Sequence, residues 1–195
     1  MKREITLRQY RTIDLVLTLL IMLASQAVIY FAATKWYLDQ LYIVSPVAAV
    51  TAIVLMRWGP YAALHAFAGG AAHCLLFGGG WTQLLIYSAG NLLSLFALFL
   101  IKKQGKKNVR SSANQTVLLG VLVQALMLLG RAGIALLLGF EAPVCLTFIT
   151  TDALSILFTG LIVWIARRVD GLFEDQKHYL LRMHRQDETQ GGELP

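Results

Sequence analysis

The stretch VLLGVLVQALMLLGRAGIALLLGFEAPVCLTFITTDALSILFTGLIVWIA, residues 117–166, decides how this chain is read. It holds two apolar runs, Val117 to Gly139 and Pro143 to Ala166, joined by a short turn around Glu141 and Pro143. Each is long enough to cross a hydrocarbon core, which takes about 20 residues for about 30 Å. Each also carries one charge inside it, Arg131 in the first and Asp152 in the second. The turn makes the runs antiparallel neighbours. Arg131 lies eight residues before Gly139 and Asp152 eight after Val144, so both sit about 12 Å below the same face. Ionisable side chains in hydrocarbon cost several kcal/mol unless they pair, line a cavity or bind something. Arg131 and Asp152 are therefore expected to pair.

Working outward, four more runs share this character: Ile13 to Ala33, Leu41 to Met56, Pro60 to Phe77 and Thr82 to Ile101. The 195-residue chain is 57% hydrophobic and 14% charged, with a mean hydropathy of +0.62. That is too apolar for a soluble domain. The expected fold class is an all-α membrane protein: six transmembrane helices in one bundle over residues 1–168, then a polar tail over 169–195. The first run is too long for the apolar core of a signal peptide and is read as a span. Basic residues set the orientation, since they collect in cytoplasmic loops. Lys2, Arg3, Arg8 and Arg11 precede the first run, and Arg57 separates the second from the third. Lys102, Lys103, Lys106, Lys107 and Arg110 follow the fourth, and Arg167, Arg168, Lys177, Arg182 and Arg185 follow the sixth. These make fifteen of the 17 Lys and Arg on one side, with Lys35 alone on the other. Both termini are expected in the cytoplasm. The net charge of +6 expresses this flanking pattern and gives no reason to expect a nucleic-acid partner.

Further polar residues fall at the depth of the Arg–Asp pair. Asn91 lies nine residues below Thr82, and Gln26 seven below Ala33. Helical spacing places Tyr87, Asn91 and Ser94 on one face, Gln26 with Tyr30 on another, and Gln124 with Arg131 on a third. A fourth face carries Cys145, Phe148, Asp152, Ser155 and Thr159. Trp36, Tyr37, Tyr42 and Trp81 mark the outer rim, where aromatic belts sit. Arg131, Asp152, Asn91, Gln26, Tyr87, Gln124, Trp81 and Tyr30 form the candidate substrate-binding set. Two readings stand: polar residues in membrane helices also serve as interhelical glue, whereas four polar stripes at one level suit a small-molecule site reached from one side.

The second run is short. Ser45-Pro46 reads as an N-cap with proline at the first helical position, leaving about 13 residues, or about 20 Å, to Trp58. Residues 35–44 (KWYLDQLYIV) would then descend as a gating loop, or else an ordinary helix starts near Leu38. The third run carries Ala62, Ala66, Gly70, Cys74 and Gly78 at four-residue spacing, and the second carries Ala48 and Ala52. Small residues at this spacing let helices approach closely, within the bundle or toward a partner; Ala62, Ala66, Gly70, Ala48 and Ala52 are the candidate docking residues. The tail keeps helical spacing at Leu172, Phe173, Gln176, Tyr179, Leu180 and Met183, as an amphipathic helix on the membrane surface or a partner would. Thr189 to Pro195 read as disordered.

Other chemistries find no pattern here. Gly78-Gly79-Gly80 lacks the Lys-Ser of a phosphate loop. His65 and His73 are about 12 Å apart along a helix, too far for one metal ion. No catalytic triad or H-E-x-x-H is present, and no cofactor is expected. Cys74 and Cys145 read as packed apolar residues, with a disulfide as the alternative.

A small six-span chain with cytoplasmic ends, an outward polar pocket and no ATP-binding motif resembles the substrate-binding S components of energy-coupling factor (ECF) transporters. The resemblance covers Ile13 to Arg168. It rests on this architecture, the short second helix after an aromatic loop, and the Gly/Ala-rich RWGPYAALHAFAGGAAHCLLFGGG of residues 57–80. The Arg–Asp-bearing final pair and the tail DGLFEDQKHYLL add to it. It implies a non-enzymatic subunit in the bacterial cytoplasmic membrane that binds a vitamin-like micronutrient from outside. It also implies partnership with a transmembrane T subunit and two cytoplasmic ATPases. An Ala-x-x-x-Ala pair on the first helix docks the T subunit in many members. This chain offers Ala24, Ala27, Ala32 and Ala33 there instead, without that spacing. The competing class is a structural multi-span subunit of a cell-envelope or cell-shape assembly.

The charge split has a direct test. In a cysteine-free background, an impermeant thiol reagent applied outside should label Gly80→Cys and spare Lys106→Cys; the reverse pattern would refute the orientation.

Overall fold

A computed structural model describes residues 6–36 and 44–191, with side chains described as far as residue 183. Among the described residues there is no strand. The helices are α1 (Leu7–Phe31), α2 (Val47–Trp58), α3 (Ala62–Leu76), α4 (Trp81–Asn91), α5 (Ala97–Gln104), α6 (Lys106–Ser111), α7 (Ala113–Leu137), α8 (Ala142–Thr150), α9 (Leu154–Ala166) and α10 (Gln176–Gly191). α1 opens on a capping box: Thr6 Oγ1 accepts from Gln9 N at 3.3 Å, and Thr6 N donates to Gln9 Oε1 at 3.0 Å.

Among the described residues, five helical segments are long and apolar enough to cross a membrane: Leu7–Trp36, Val47–Leu76, Trp81–Gln104, Ala113–Leu137 and Ala142–Ala166. The second of these is a hairpin, not a rod. Gly59, at φ 63° and ψ −123°, turns the chain between α2 and α3. Gly69 then returns so close to the start of α2 that an added Cβ would stand 2.6 Å from Val47 Cγ1. The run Leu41 to Met56 is therefore not one helix. Residues 44–46 are non-helical, and Pro46 occupies the N-cap, one place before the expected first helical position. The expected gating loop falls largely on residues 37–43, which lie outside the described residues.

α2 has 12 residues, about 18 Å of rise, and it is the centre of the bundle. From Val47 to Arg57 nearly every residue is buried, with α1, α3, α7 and α9 packed around it. Such a helix needs no polar face, which explains its Ala/Val/Ile composition. Ala48, Ala52, Ala62, Ala66 and Gly70, expected as a docking surface, are all buried in this bundle. A Cβ on Gly70 would fall on the Tyr87 carbonyl. The small-residue stripes are thus filled by the chain's own helices and offer no open face to a partner.

Among the described glycines, the closest approach of two helices joins α4 to α7. A Cβ on Gly130 would land on the Gly90 carbonyl, and one on Gly90 would stand 2.6 Å from the Arg131 nitrogen. The tail also departs from expectation. Residues 167–175 form turns, with Gly171 at φ 69°, and helix resumes only at Gln176. Leu172 and Phe173 therefore precede the helix, and Phe173 is fully buried in the main core. α10 continues to Gly191, past the Thr189 where disorder was expected.

The glycine crossing predicts a contrast within one helix. Gly130→Ala should destabilise the protein by about 1–3 kcal/mol through overpacking, read as a lowered Tm in detergent. Gly133→Ala, whose Cβ would meet open space, should leave Tm unchanged or raised. Equal effects would contradict the crossing.

Candidate polar site in the bundle interior

Where water is absent, backbone that leaves the helical ladder must be satisfied by protein. Three irregular points meet in the bundle. Asn91 ends α4 and begins a 3-10 stretch, Leu92–Phe96; residues 151–153 interrupt α8 and α9; and residues 44–46 lead into α2. The polar side chains gather there.

Asp152, in the α8–α9 break, is the hub. Its Oδ2 accepts from Arg131 Nη1 at 2.7 Å and from Gln124 Nε2 at 3.2 Å. Its Oδ1 accepts from Ser155 Oγ, which itself accepts from Ser45 N at 3.0 Å. Arg131 Nε donates to Asn91 Oδ1 at 2.8 Å, and Asn91 Nδ2 donates to the Ala66 carbonyl at 3.1 Å. The Arg131 guanidinium also lies over the Tyr87 ring, 4.7 Å from its centroid. Arg131 is only 4% exposed, so these contacts replace its water. The Gly90–Gly130 crossing explains why they form, since the next residue on each helix is Asn91 or Arg131.

An aromatic row crosses the bundle beside this network. Phe148 packs on Tyr87 (5.9 Å between centroids), Tyr87 on His73 (5.0 Å), His73 on Phe77 (4.8 Å) and Phe77 on Tyr30 (5.2 Å). A cavity of about 10 Å³, lined by Gln26, Ser45, His73 and Phe77, lies along it, room for about one water. Two buried acceptors near these groups, Gln124 Oε1 and Gln26 Oε1, have no partner among the described residues.

Of the eight expected site residues, Arg131, Asp152, Asn91, Gln124 and Tyr87 come together. Tyr30 joins at the far end of the aromatic row. Gln26 is buried apart from the ion pair and donates to the Gly69 carbonyl at 3.2 Å. Trp81 stands away from the cluster, 83% exposed at the first residue of α4. Sequence reasoning missed Ser45 and His73 as members; the sequence signal for Ser45 was its position just before a short helix. Cys74 and Cys145 are both free and buried. Among the described residues no group of His, Cys, Asp and Glu could hold a metal ion.

A second buried ion pair was also missed. Asp14 of α1 takes Arg57 of α2 in two hydrogen bonds, Nε to Oδ2 at 2.9 Å and Nη2 to Oδ1 at 2.5 Å. Trp58 Nε1 adds a third at 2.5 Å. Arg57 is 7% exposed, so it belongs to the bundle and not merely to a loop. One turn along α1, Thr18 Oγ1 and His65 Nε2 share a hydrogen bond of 2.9 Å.

The chain matches no family model, no curated protein and no solved structure.

Losing one partner of a buried pair costs about 3–5 kcal/mol. Asp14→Ala should therefore lower Tm sharply, and adding Arg57→Met, which removes the stranded charge, should recover part of the loss. A loss under about 1 kcal/mol, typical of an exposed pair, would contradict the burial of Arg57.

Proposed function

We propose that this protein is the substrate-capture subunit of a membrane importer of the ECF kind, binding a small molecule and performing no chemistry on it. The supporting observation is the convergence of Arg131, Asp152, Asn91, Gln124 and Tyr87 from α4, α7 and the α8–α9 break. Buried ionisable groups in membrane helices mark substrate pathways by default, and non-helical backbone at that depth belongs beside a cavity or protein. The aromatic row offers apolar faces next to hydrogen-bonding groups, the mixture small-molecule sites use. In this reading α2 counts as a short sixth span. Both ends lie in the cytoplasm of a bacterial cell, and the ligand is a vitamin-like micronutrient arriving from the Trp81 side. The T subunit and its two ATPases would dock on lipid-facing helix surfaces, since the small-residue stripes are buried.

One observation favours a second reading. The charges of Arg131 and Asp152 are matched to each other, and the adjoining cavity holds about one water. A cluster of that kind also serves as a rigid tie in a structural subunit of an envelope assembly.

Neutralising both charges separates the two. Arg131→Gln with Asp152→Asn should retain most of the thermal stability that either single variant loses. If the cluster is a ligand site, the double variant should still fail to bind the molecule that co-purifies with wild type, measured by titration. Wild-type binding by the double variant would remove this pair from the site.

A further inference from the structure

Residues 170–175, in the link between α9 and α10, and Gln176 at the start of α10 tie together two separate parts of the bundle at its Arg57 end. On one side, Arg57 Nη1 donates to the Gly171 and Leu172 carbonyls at 2.8 and 3.1 Å. Tyr10 of α1 donates to Gln176 Oε1 at 3.2 Å, and Gln176 Nε2 returns to the Gly171 carbonyl at 2.6 Å. On the other side, Asp175 pairs with Lys106 of α6 at 2.5 Å. Arg110 of α6 pairs with Glu174 at 2.5 Å and Asp170 at 3.2 Å. Arg182 of α10 folds back onto Glu174 at 3.2 Å. Between the two sides, Phe173 is buried completely.

We propose that this segment is a releasable strap, a charge-held latch that joins the α1–α2 ends to α6 and opens as a unit while the helices stay folded. Three features make the segment releasable although Phe173 is seated in the main core. Its ion pairs are partly exposed, with the Lys106 and Arg110 side chains each 29% accessible, so salt screens them. From residue 170 to 175 its backbone is turn and not helix, and its apolar hold on the core is Phe173 with the partly buried Leu172, the kind of segment that opens locally before the whole protein does. Most tellingly, release strands no charge in the interior. Arg57 keeps both hydrogen bonds to Asp14, while Asp170, Glu174, Asp175, Lys106 and Arg110 pass to water.

Proton concentration acts on the same latch. Burial pushes the Asp175 carboxyl up, but the hydrogen bond and charge of Lys106, with the backbone N–H and charge of His178, outweigh it and hold it below its usual range. A carboxyl lowered in the closed form contributes fully above the ordinary carboxylate range, and that contribution is lost as pH falls through the lowered value. The facing groups are Lys106 and Arg110 from α6 and His178 and Arg182 from α10.

Spin labels at Lys107→Cys and Lys177→Cys in the cysteine-free full-length protein report the latch directly. At about 0.1 M salt a single short distance is expected; at about 1 M, where charges are screened within about 3 Å, a longer population should appear with Tm of the bundle unchanged. Asp175→Lys should lose most of the short population at low salt, and adding Lys106→Asp should restore it. One unchanged distance across the salt series and the reversal overturns the proposal. So does a swap that stays open, or opening that occurs only together with loss of the bundle's Tm.

Discussion

A guanidinium and a carboxylate enclosed by apolar helices have no water to fall back on, so each must find its partners in the protein. Arg131 and Asp152 do so at 2.7 Å, and much of the interior is arranged to permit it. Gly90 and Gly130 remove the side chains that would hold α4 and α7 apart. Asn91 takes the second Arg131 donor, and Tyr87 covers the guanidinium face. The helix interruption at residues 151–153 frees Asp152 to accept from Arg131, Gln124 and Ser155 together. Ser155 in turn holds the backbone at Ser45, where the buried central helix begins. A change at the ion pair is thus felt on α2, α4, α7, α8 and α9.

The opposite end of α2 is held by the same kind of device. Arg57 carries the α2–α3 turn into contact with Asp14 of α1 and with the segment after α9. A short helix with an ionic tether at one end and a polar network at the other is positioned by hydrogen bonds, while its buried sides are shaped by packing alone. That division suits a membrane bundle, where apolar side chains have no water to escape and close packing with polar contacts supplies the specificity.

The pairing of Arg131 with Asp152 was legible because both stand eight residues from one turn, and counting along a helix fixes depth well. Counting does not fix azimuth. Trp81 matched the rim and proved to point away, whereas Asn91 matched the layer and joined it. The stripe at Ala62, Ala66 and Gly70 was legible as a close contact, but spacing alone cannot say whether the neighbour is α4 or another protein. Asp14 was hidden inside an apolar run, and Arg57 was counted as a loop charge because orientation arguments weigh numbers of basic residues, not their burial. Helical spacing at Leu172 and Phe173 suggested a helix that Gly171, at φ 69°, does not continue. The Gly90–Gly130 contact joins single glycines on two helices, and no period in either one announces it.

Uptake of a small molecule is the proposed role of the Arg131–Asp152 cluster. Native mass spectrometry of protein released from its own membrane in a mild detergent tests this most directly. Wild type should carry a small-molecule adduct, one per chain, which the Arg131→Gln, Asp152→Asn variant lacks despite remaining folded. Wild type that carries no adduct, and gains none when incubated with the small-molecule extract of its own cells, would contradict a ligand-binding role and leave the cluster as a tie between helices.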